Sequence, residues 1–199
     1  EITITVFCPG DDPLAEVPEE FIDIAGPGGG GETSVPPNPK SPCDLIIKLN
    51  NDVLFKQKMT NLVTATAYNF ETLFTANTNP NPASQPLSNF KFLSFNGTIN
   101  QPQVIYGADA RTLKGVMHSH YEGLLSIYSV TDLQDLYLKI LNDQVTDDFF
   151  SALVTKSGTR YLLTILDRDK LIAFGNKHLS SDQKIRNLSK LCSSKYNIK

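Results

Sequence analysis

Apolar residues recur along this chain first with helical spacing and then with the alternation typical of strands. From residues 41–44 to Leu62, apolar side chains return every three or four positions with polar ones between them, which predicts one helix that ends in the run 63–68. Strand-like runs follow at 69–76, 90–96, 98–100, 104–106 and 113–118. Asn96 and Gly97 form a dipeptide that favours a hairpin turn.

The C-terminal part of the chain predicts two more helices and a hairpin. Apolar residues follow helical spacing over 132–141 and again over 182–192. Strand-like runs at 149–155 and 160–166 are joined by four turn-forming residues, 156–159. No segment repeats another. The sequence therefore predicts an α+β fold in which a single mixed β-sheet is flanked by helices.

The first 42 residues differ in composition from the rest of the chain. They include a glycine-rich run at 26–31 and a proline-rich run at 35–39. Glycine runs resist ordering and proline runs favour extended backbone, so residues 1–42 are predicted to be a Pro/Gly-rich linker or tail. Residues 43–199 are predicted to form one domain with a C-terminal helix. Because the chain begins with Glu1, we expect it to be part of a larger polypeptide.

Charge and cysteine content narrow the classes of partner. A net charge of −3 and a pI of about 5.6 offer no basic patch for nucleic acid, and no apolar run approaches the ~20 residues of a membrane span. Cysteines 8, 43 and 192 lack the C-x-x-C spacing of zinc fingers. They favour reduced thiols and a cytoplasmic location, with one disulfide as the alternative.

The candidate chemistry begins at the end of the run 113–118, where two of the three histidines lie one residue apart. Side chains two positions apart on a strand project from the same face, so the imidazoles of His118 and His120 can reach one point. Asp132 follows twelve residues later. Two imidazoles and one carboxylate are a ligand set for a catalytic zinc that keeps one position open for water. His178 is expected at the surface near a helix start.

Asp132 also has a structural explanation. The pattern Ser129-x-x-Asp132 before a helix is that of a capping box, worth about 1 kcal/mol of helix stability. A helix N-terminus suits both a metal ligand and a capping residue. However, the same lone pairs of Asp132 cannot coordinate a cation and accept the capping hydrogen bond. A zinc hydrolase also needs a carboxylate that moves protons. Beyond residue 40 the only glutamates are Glu71, in a strand-like run, and Glu122, in the loop after the histidines.

The order Glu71, His118-Ser-His120, Ser129-x-x-Asp132 resembles the JAMM motif of the JAB/MPN+ metallopeptidases, and the order of elements over residues 43–175 is similar to that fold. The resemblance implies a JAB/MPN-like domain with cytidine-deaminase-like layering. It implies Zn²⁺ bound by His118, His120 and Asp132. It also implies Glu71 as general acid/base and Ser129 as the donor that stabilises the oxyanion of the tetrahedral intermediate.

The sequence departs from the motif at three points. Eight residues instead of seven separate His120 from Ser129, Tyr121 stands where a proline is common, and Leu73 stands where a glycine is common. These differences indicate a divergent bacterial-type member. The implied function is zinc-dependent cleavage of a peptide or isopeptide bond in a peptide or protein substrate. The alternatives are an MPN-like non-catalytic scaffold, as in phage-tail or secretion-type assemblies, and a hydrolase of peptidoglycan peptides.

Overall fold

The computed structural model describes residues 42–79, 88–108 and 112–196, which form five helices and five strands. In chain order these are α1 (Pro42–Asn51), α2 (Val53–Ala65), β1 (Thr72–Thr78), β2 (Phe90–Asn96), β3 (Leu113–His120), α3 (Val130–Leu141), β4 (Val145–Thr155), β5 (Arg160–Thr164), α4 (Arg168–His178) and α5 (Asp182–Tyr196). No helix in these three ranges is long and apolar enough to cross a membrane. The predicted tail lies outside the described residues, apart from Pro42.

The five strands form one mixed sheet in the order β2-β1-β3-β4-β5. β1 is antiparallel to both β2 and β3, and β4 is antiparallel to β5. β3 and β4 are parallel, and α3 lies between them in the chain as the crossover. The predicted α+β fold, with a single mixed sheet and flanking helices, is therefore confirmed, as is the hairpin of β4 and β5.

Both faces of the central strands β1, β3 and β4 are largely buried, which fixes the register of these strands. α1 and α2 cover one face, where the core consists of Leu49, Phe55, Leu62, Phe74, Met117 and Phe150 among others. α3 and α4 cover the other face, where Leu73, Val116, Leu136, Ile140 and Phe149 are buried and Leu171 packs against them. Because strand side chains alternate, the α3 face continues at the strand ends as Glu71 and His118.

The single helix predicted up to Leu62 is wrong, because the chain breaks at Asp52 into α1 and α2. Asp52 is the N-cap of α2, with extended backbone, and its side chain is 3% exposed. Its carboxylate accepts hydrogen bonds from the backbone N–H of Phe55 at 2.9 Å, from Oγ of Ser88 at 2.8 Å and from the N–H of Asn89 at 2.9 Å. Two of these partners come from a distant part of the chain, and they hold the break.

The segment between β2 and β3 also differs from the prediction. Residues 98–100 and 104–106 are not strands, and the Asn96-Gly97 turn does not form a hairpin because β2 pairs with the preceding strand, β1. Instead, Val104 and Tyr106 pack on the α3 face of the sheet as irregular backbone. Of the loop 77–89, residues 80–87 lie outside the described residues.

Two further differences concern the C-terminal part. α4 was not predicted, and His178, expected near a helix start, is the last residue of α4. Its ring is half-buried, 5.0 Å from the ring of Phe174. The thiol of Cys192 is free, whereas Cys8 and the side chain of Cys43 lie outside the described residues.

Candidate metal centre

β3 delivers both histidines because its pairing with β4 persists to the last residue. The parallel register runs through His118 opposite Leu153 to His120 opposite Thr155. Both imidazoles are buried, at 5% and 2% exposure, and their ring centroids are 5.1 Å apart. The spacing that the sequence predicted therefore brings the two rings together on the α3 side of the sheet.

Asp132 reaches the histidines from the first turn of α3, where Ser129 is the N-cap. Oδ2 of Asp132 accepts the N–H of Ser129 at 2.6 Å, and Oγ of Ser129 accepts the N–H of Asp132 at 3.1 Å. Oδ1 lies 3.5 Å from Nε2 of His118, and Oδ2 lies 3.4 Å from Nε2 of His120. Asp132 thus completes a capping box mainly with one oxygen and turns the other towards His118.

The spacing of these groups fits a divalent cation. Ligand atoms of His118, His120 and Asp132 all lie within 4.8 Å of one another. Ligand atoms of a tetrahedral zinc with bonds of 2.0–2.1 Å are separated by about 3.4 Å, close to the imidazole–carboxylate separations above. In addition, Nε2 of His118 is buried without a hydrogen-bond partner. Such an atom costs stability unless something else satisfies it, and a cation does so.

His120 is oriented by a backbone carbonyl that the sequence could not reveal. Its Nδ1 lies 2.7 Å from the carbonyl oxygen of Leu125. This contact requires the proton on Nδ1, so the lone pair of Nε2 is directed at the centre, as in many protein metal sites. His118 is bordered by the ring of Tyr128 at 5.8 Å between centroids, and the Tyr128 hydroxyl donates to Oγ of Ser151 at 3.1 Å.

The charges of the centre stabilise one another. Burial alone would raise the pKa of Asp132, but the imidazoles of His118 and His120 beside its carboxylate outweigh burial and hold that pKa far below its ordinary value. Burial alone would lower the pKa of His120, but hydrogen bonds to Asp132 and to the carbonyl of Leu125 raise it overall. Asp132 is therefore ionised and available to a cation. At His120, the cation and a proton compete for the same nitrogen, Nε2.

Glu71 immediately precedes β1 and is 6% exposed. Its Oε1 lies 3.7 Å from Nε2 of His120. Burial raises the pKa of Glu71, and the nearby His118 and His120 offset this only in part. The other candidate, Glu122, is exposed in the turn after β3. Of the two glutamates, Glu71 is the one with a carboxylate at the histidines.

Ser129 lies at the N-terminus of α3, where its hydroxyl makes hydrogen bonds within the helix cap. Besides its cap, its Oγ shares a hydrogen bond of 2.7 Å with Oγ1 of Thr131. It lines a small cavity of about 270 Å³ beside Cys192, whereas Glu71 and Asp132 line a larger one. In this structure the Ser129 hydroxyl is engaged in holding the start of α3.

The larger cavity, of about 510 Å³, gives access to the centre. Glu71, His118 and Asp132 lie among its lining residues, α3 forms one wall and the irregular segment 101–106 forms another. Its floor is apolar and consists of Leu73, Val116, Leu136 and Phe149. A ligand can therefore approach the centre along the α3 face of the sheet.

Comparison of the chain with protein-family models, curated proteins and solved structures finds no match. The resemblance to the JAB/MPN+ metallopeptidases accordingly stays a prediction. The arrangement of His118, His120 and Asp132 by itself supports a group that could hold a metal ion.

Proposed function

We propose that this chain is a zinc-dependent hydrolase that cleaves a peptide or isopeptide bond, as a divergent relative of the JAB/MPN+ metallopeptidases. The observation that carries the proposal is the convergence of Glu71 with His118, His120 and Asp132 from three separate parts of the fold, three of them lining one cavity. Perturbed ionisable groups clustered in a cleft are typical of catalytic sites.

The ligand set favours zinc. Two neutral imidazoles and one carboxylate leave a position open, which is the arrangement of catalytic rather than structural zinc sites. Zinc held by His118, His120 and Asp132 would polarise the scissile carbonyl and lower the pKa of a coordinated water towards about 7. The chain's own contribution is to present these three side chains already oriented, His120 by Leu125 and Asp132 by the capping box.

Glu71 is the proton carrier in this proposal. Its carboxylate accepts the proton of the attacking water while the water oxygen bonds to the carbonyl carbon. When the C–N bond breaks, Glu71 donates the same proton to the leaving nitrogen. Burial suits it to both steps, because desolvation raises its pKa above that of an exposed glutamate. The oxyanion role of Ser129 stays a prediction, since its hydroxyl already caps α3.

A purely structural role explains the centre less well. The ionisable side chains of Glu71, His118 and His120 are buried, and Nε2 of His118 has no hydrogen-bond partner. This arrangement costs stability, and apolar residues of similar size would pack such a position at lower cost. Binding of a cation and action on a ligand account for the placement of Glu71, His118, His120 and Asp132 together.

The test combines metal content with turnover. We expect one zinc per chain by elemental analysis and cleavage within a mixed peptide library, detected by mass spectrometry. Glu71→Gln should keep the zinc and lose about 10²–10⁴-fold in kcat, whereas His118→Ala should lose the zinc. The matched control is Glu122→Gln, the same substitution at the exposed glutamate, which should retain activity. A zinc-free wild-type protein, or an active Glu71→Gln variant, contradicts the proposal.

A further inference from the structure

The place of Glu71 depends on how β1 and β3 separate. Their antiparallel pairing ends with Leu73 opposite His118. β3 nevertheless continues as far as His120, because it remains paired with β4. Beyond Leu73 and His118, β1 and β3 are no longer joined by regular backbone hydrogen bonds. Glu71 and Thr72 lie next to this end of β3. On the side facing β3, where the regular pairing has stopped, the backbone beside Glu71 needs some other restraint.

Ser119, between the two histidines, supplies that restraint. It is fully buried, and its Oγ accepts the backbone N–H of Thr72 at 3.1 Å. The same hydroxyl lies 3.5 Å from the carbonyl oxygen of Thr72. A side chain therefore takes the place of the backbone acceptor that the ladder no longer provides. Because Thr72 is adjacent to Glu71, this hydrogen bond fixes the direction in which Glu71 leaves the strand.

A second contact holds the same peptide from β2. The N–H of Gly97 donates to the carbonyl oxygen of Glu71 at 2.8 Å. A Cβ at Gly97 would lie 2.9 Å from the carbonyl oxygen of Gln103 and 3.3 Å from that of Glu71, so only glycine allows this approach without a shift. The hydroxyl of Thr72 also donates to Oδ1 of Asn96 at 3.1 Å. Glu71 is thus restrained on both sides of its strand.

We propose that Ser119 is a positioning residue that, through the amide of Thr72, holds the carboxylate of Glu71 beside His120. The catalytic meaning of this restraint rests on the proposed function, but the restraint itself does not. Ser119 is fully buried and its hydroxyl contacts the backbone of Thr72, so it acts through Glu71 and not on a ligand. A misplacement of about 1 Å in a reacting group is enough to lower a rate about 10²-fold.

The test uses Ser119→Ala, which removes the hydroxyl, and Ser119→Thr, which keeps one. The matched control is Ser88→Ala, because Ser88 is also buried, at 6% exposure, and its Oγ also accepts a backbone N–H, that of Phe90 at 3.0 Å. Ser88 lies beside Asp52 instead of at the centre. All variants are compared as the full chain.

The first readout needs no substrate. Amide hydrogen exchange by NMR should be faster at Thr72 in Ser119→Ala by about fivefold or more, the worth of one hydrogen bond, and close to wild type in Ser119→Thr and Ser88→Ala. The ¹³Cδ signal of Glu71, identified by its loss in Glu71→Gln, should shift in Ser119→Ala alone. Unchanged exchange at Thr72 and an unchanged Glu71 signal in Ser119→Ala overturn the proposal.

The second readout is kinetic. On a peptide cleaved by the wild type, Ser119→Ala should keep its zinc and its KM and lose about 10–100-fold in kcat, as changes of supporting hydrogen bonds do, and Ser119→Thr should recover most of the loss. An equal loss in Ser88→Ala reduces Ser119 to a stabilising residue and overturns the proposal. If the wild type binds no zinc and cleaves nothing, the proposed function fails, while the NMR comparison still decides the restraint.

Discussion

Asp132 has two tasks, capping α3 and facing the histidines, and these tasks can be tested separately. Oδ2 accepts the N–H of Ser129 in the capping box and also lies 3.4 Å from Nε2 of His120, while Oδ1 lies 3.5 Å from Nε2 of His118. Asp132→Asn keeps an oxygen that can cap α3 and removes the charge that a cation requires. Ser129→Ala removes the side-chain half of the cap and leaves every proposed ligand intact. The first variant should therefore lose the response to zinc and the second should keep it.

The two effects have different sizes. Loss of an N-cap costs about 1 kcal/mol, and in a domain of this size each kcal/mol shifts Tm by about 2–4 °C. Ser129→Ala should therefore melt about 3 °C below the wild type with or without zinc. Zinc at 100 times its Kd adds about 2.7 kcal/mol, which raises the wild-type Tm by about 5–11 °C. In Asp132→Asn that increment should fall close to zero.

The assay is thermal unfolding of each variant in chelator and in excess zinc, with the zinc content measured separately. Asp169→Asn is the control, because it removes the same charge from the first turn of another helix, α4, at an exposed position. A wild-type zinc increment in Asp132→Asn refutes the ligand assignment. Loss of the zinc-induced rise in Tm in Ser129→Ala shows that the capping role and the ligand role of Asp132 cannot be separated. This result refutes the assignment of two separate tasks.

Three further predictions concern stability. Asp52→Ala leaves buried donors without an acceptor and should lower the free energy of unfolding in urea by about 3–5 kcal/mol. A decrease below about 1 kcal/mol contradicts this. Burial opposes ionisation of Asp148, but its hydrogen bond with Lys114 helps to hold its pKa below the ordinary value. The ionised Asp148 should stabilise the fold by about 1 kcal/mol or less. This stabilisation should be present above the unfolded pKa of about 3.9 and vanish as pH falls through the folded pKa. A difference in the free energy of unfolding between wild type and Asp148→Asn that does not change with pH contradicts this. Gly175→Ala places a Cβ 2.0 Å from the Tyr137 ring and should lower the free energy of unfolding by about 1–3 kcal/mol. An increase in that free energy contradicts the close packing of α4 on Tyr137.

The sequence was most informative where structure follows from local rules. Alternation along a strand is enough to place His118 and His120 on one face, and a capping box is enough to start α3 at Ser129. Both features depend on residues only two or three positions apart. The single mixed sheet follows in the same way from periodicity, although two predicted strands, 98–100 and 104–106, do not form and the ends of β1 are shifted by two or three residues.

The failures arose where distant residues decide the local structure. The break at Asp52 depends on hydrogen bonds from Ser88 and Asn89, which no pattern around Asp52 indicates. α4 was missed because it contains Gly175, a poor helix former that is there accommodated by close packing on Tyr137. The carbonyl of Leu125 that orients His120 belongs to the backbone, and so any residue type could supply it.

One wall of the cavity is made of irregular backbone, residues 101–106, and not of a helix or strand. Within it Gln101, Pro102 and Gln103 are exposed, and their side chains can change without altering any strand register. Glu71 adjoins β1, His118 lies in β3 and Asp132 in α3, so such changes should leave their places unaltered. Under the proposed function, ligand preference can therefore be changed separately from the candidate metal centre, and substitution of these three exposed side chains is the natural route to doing so.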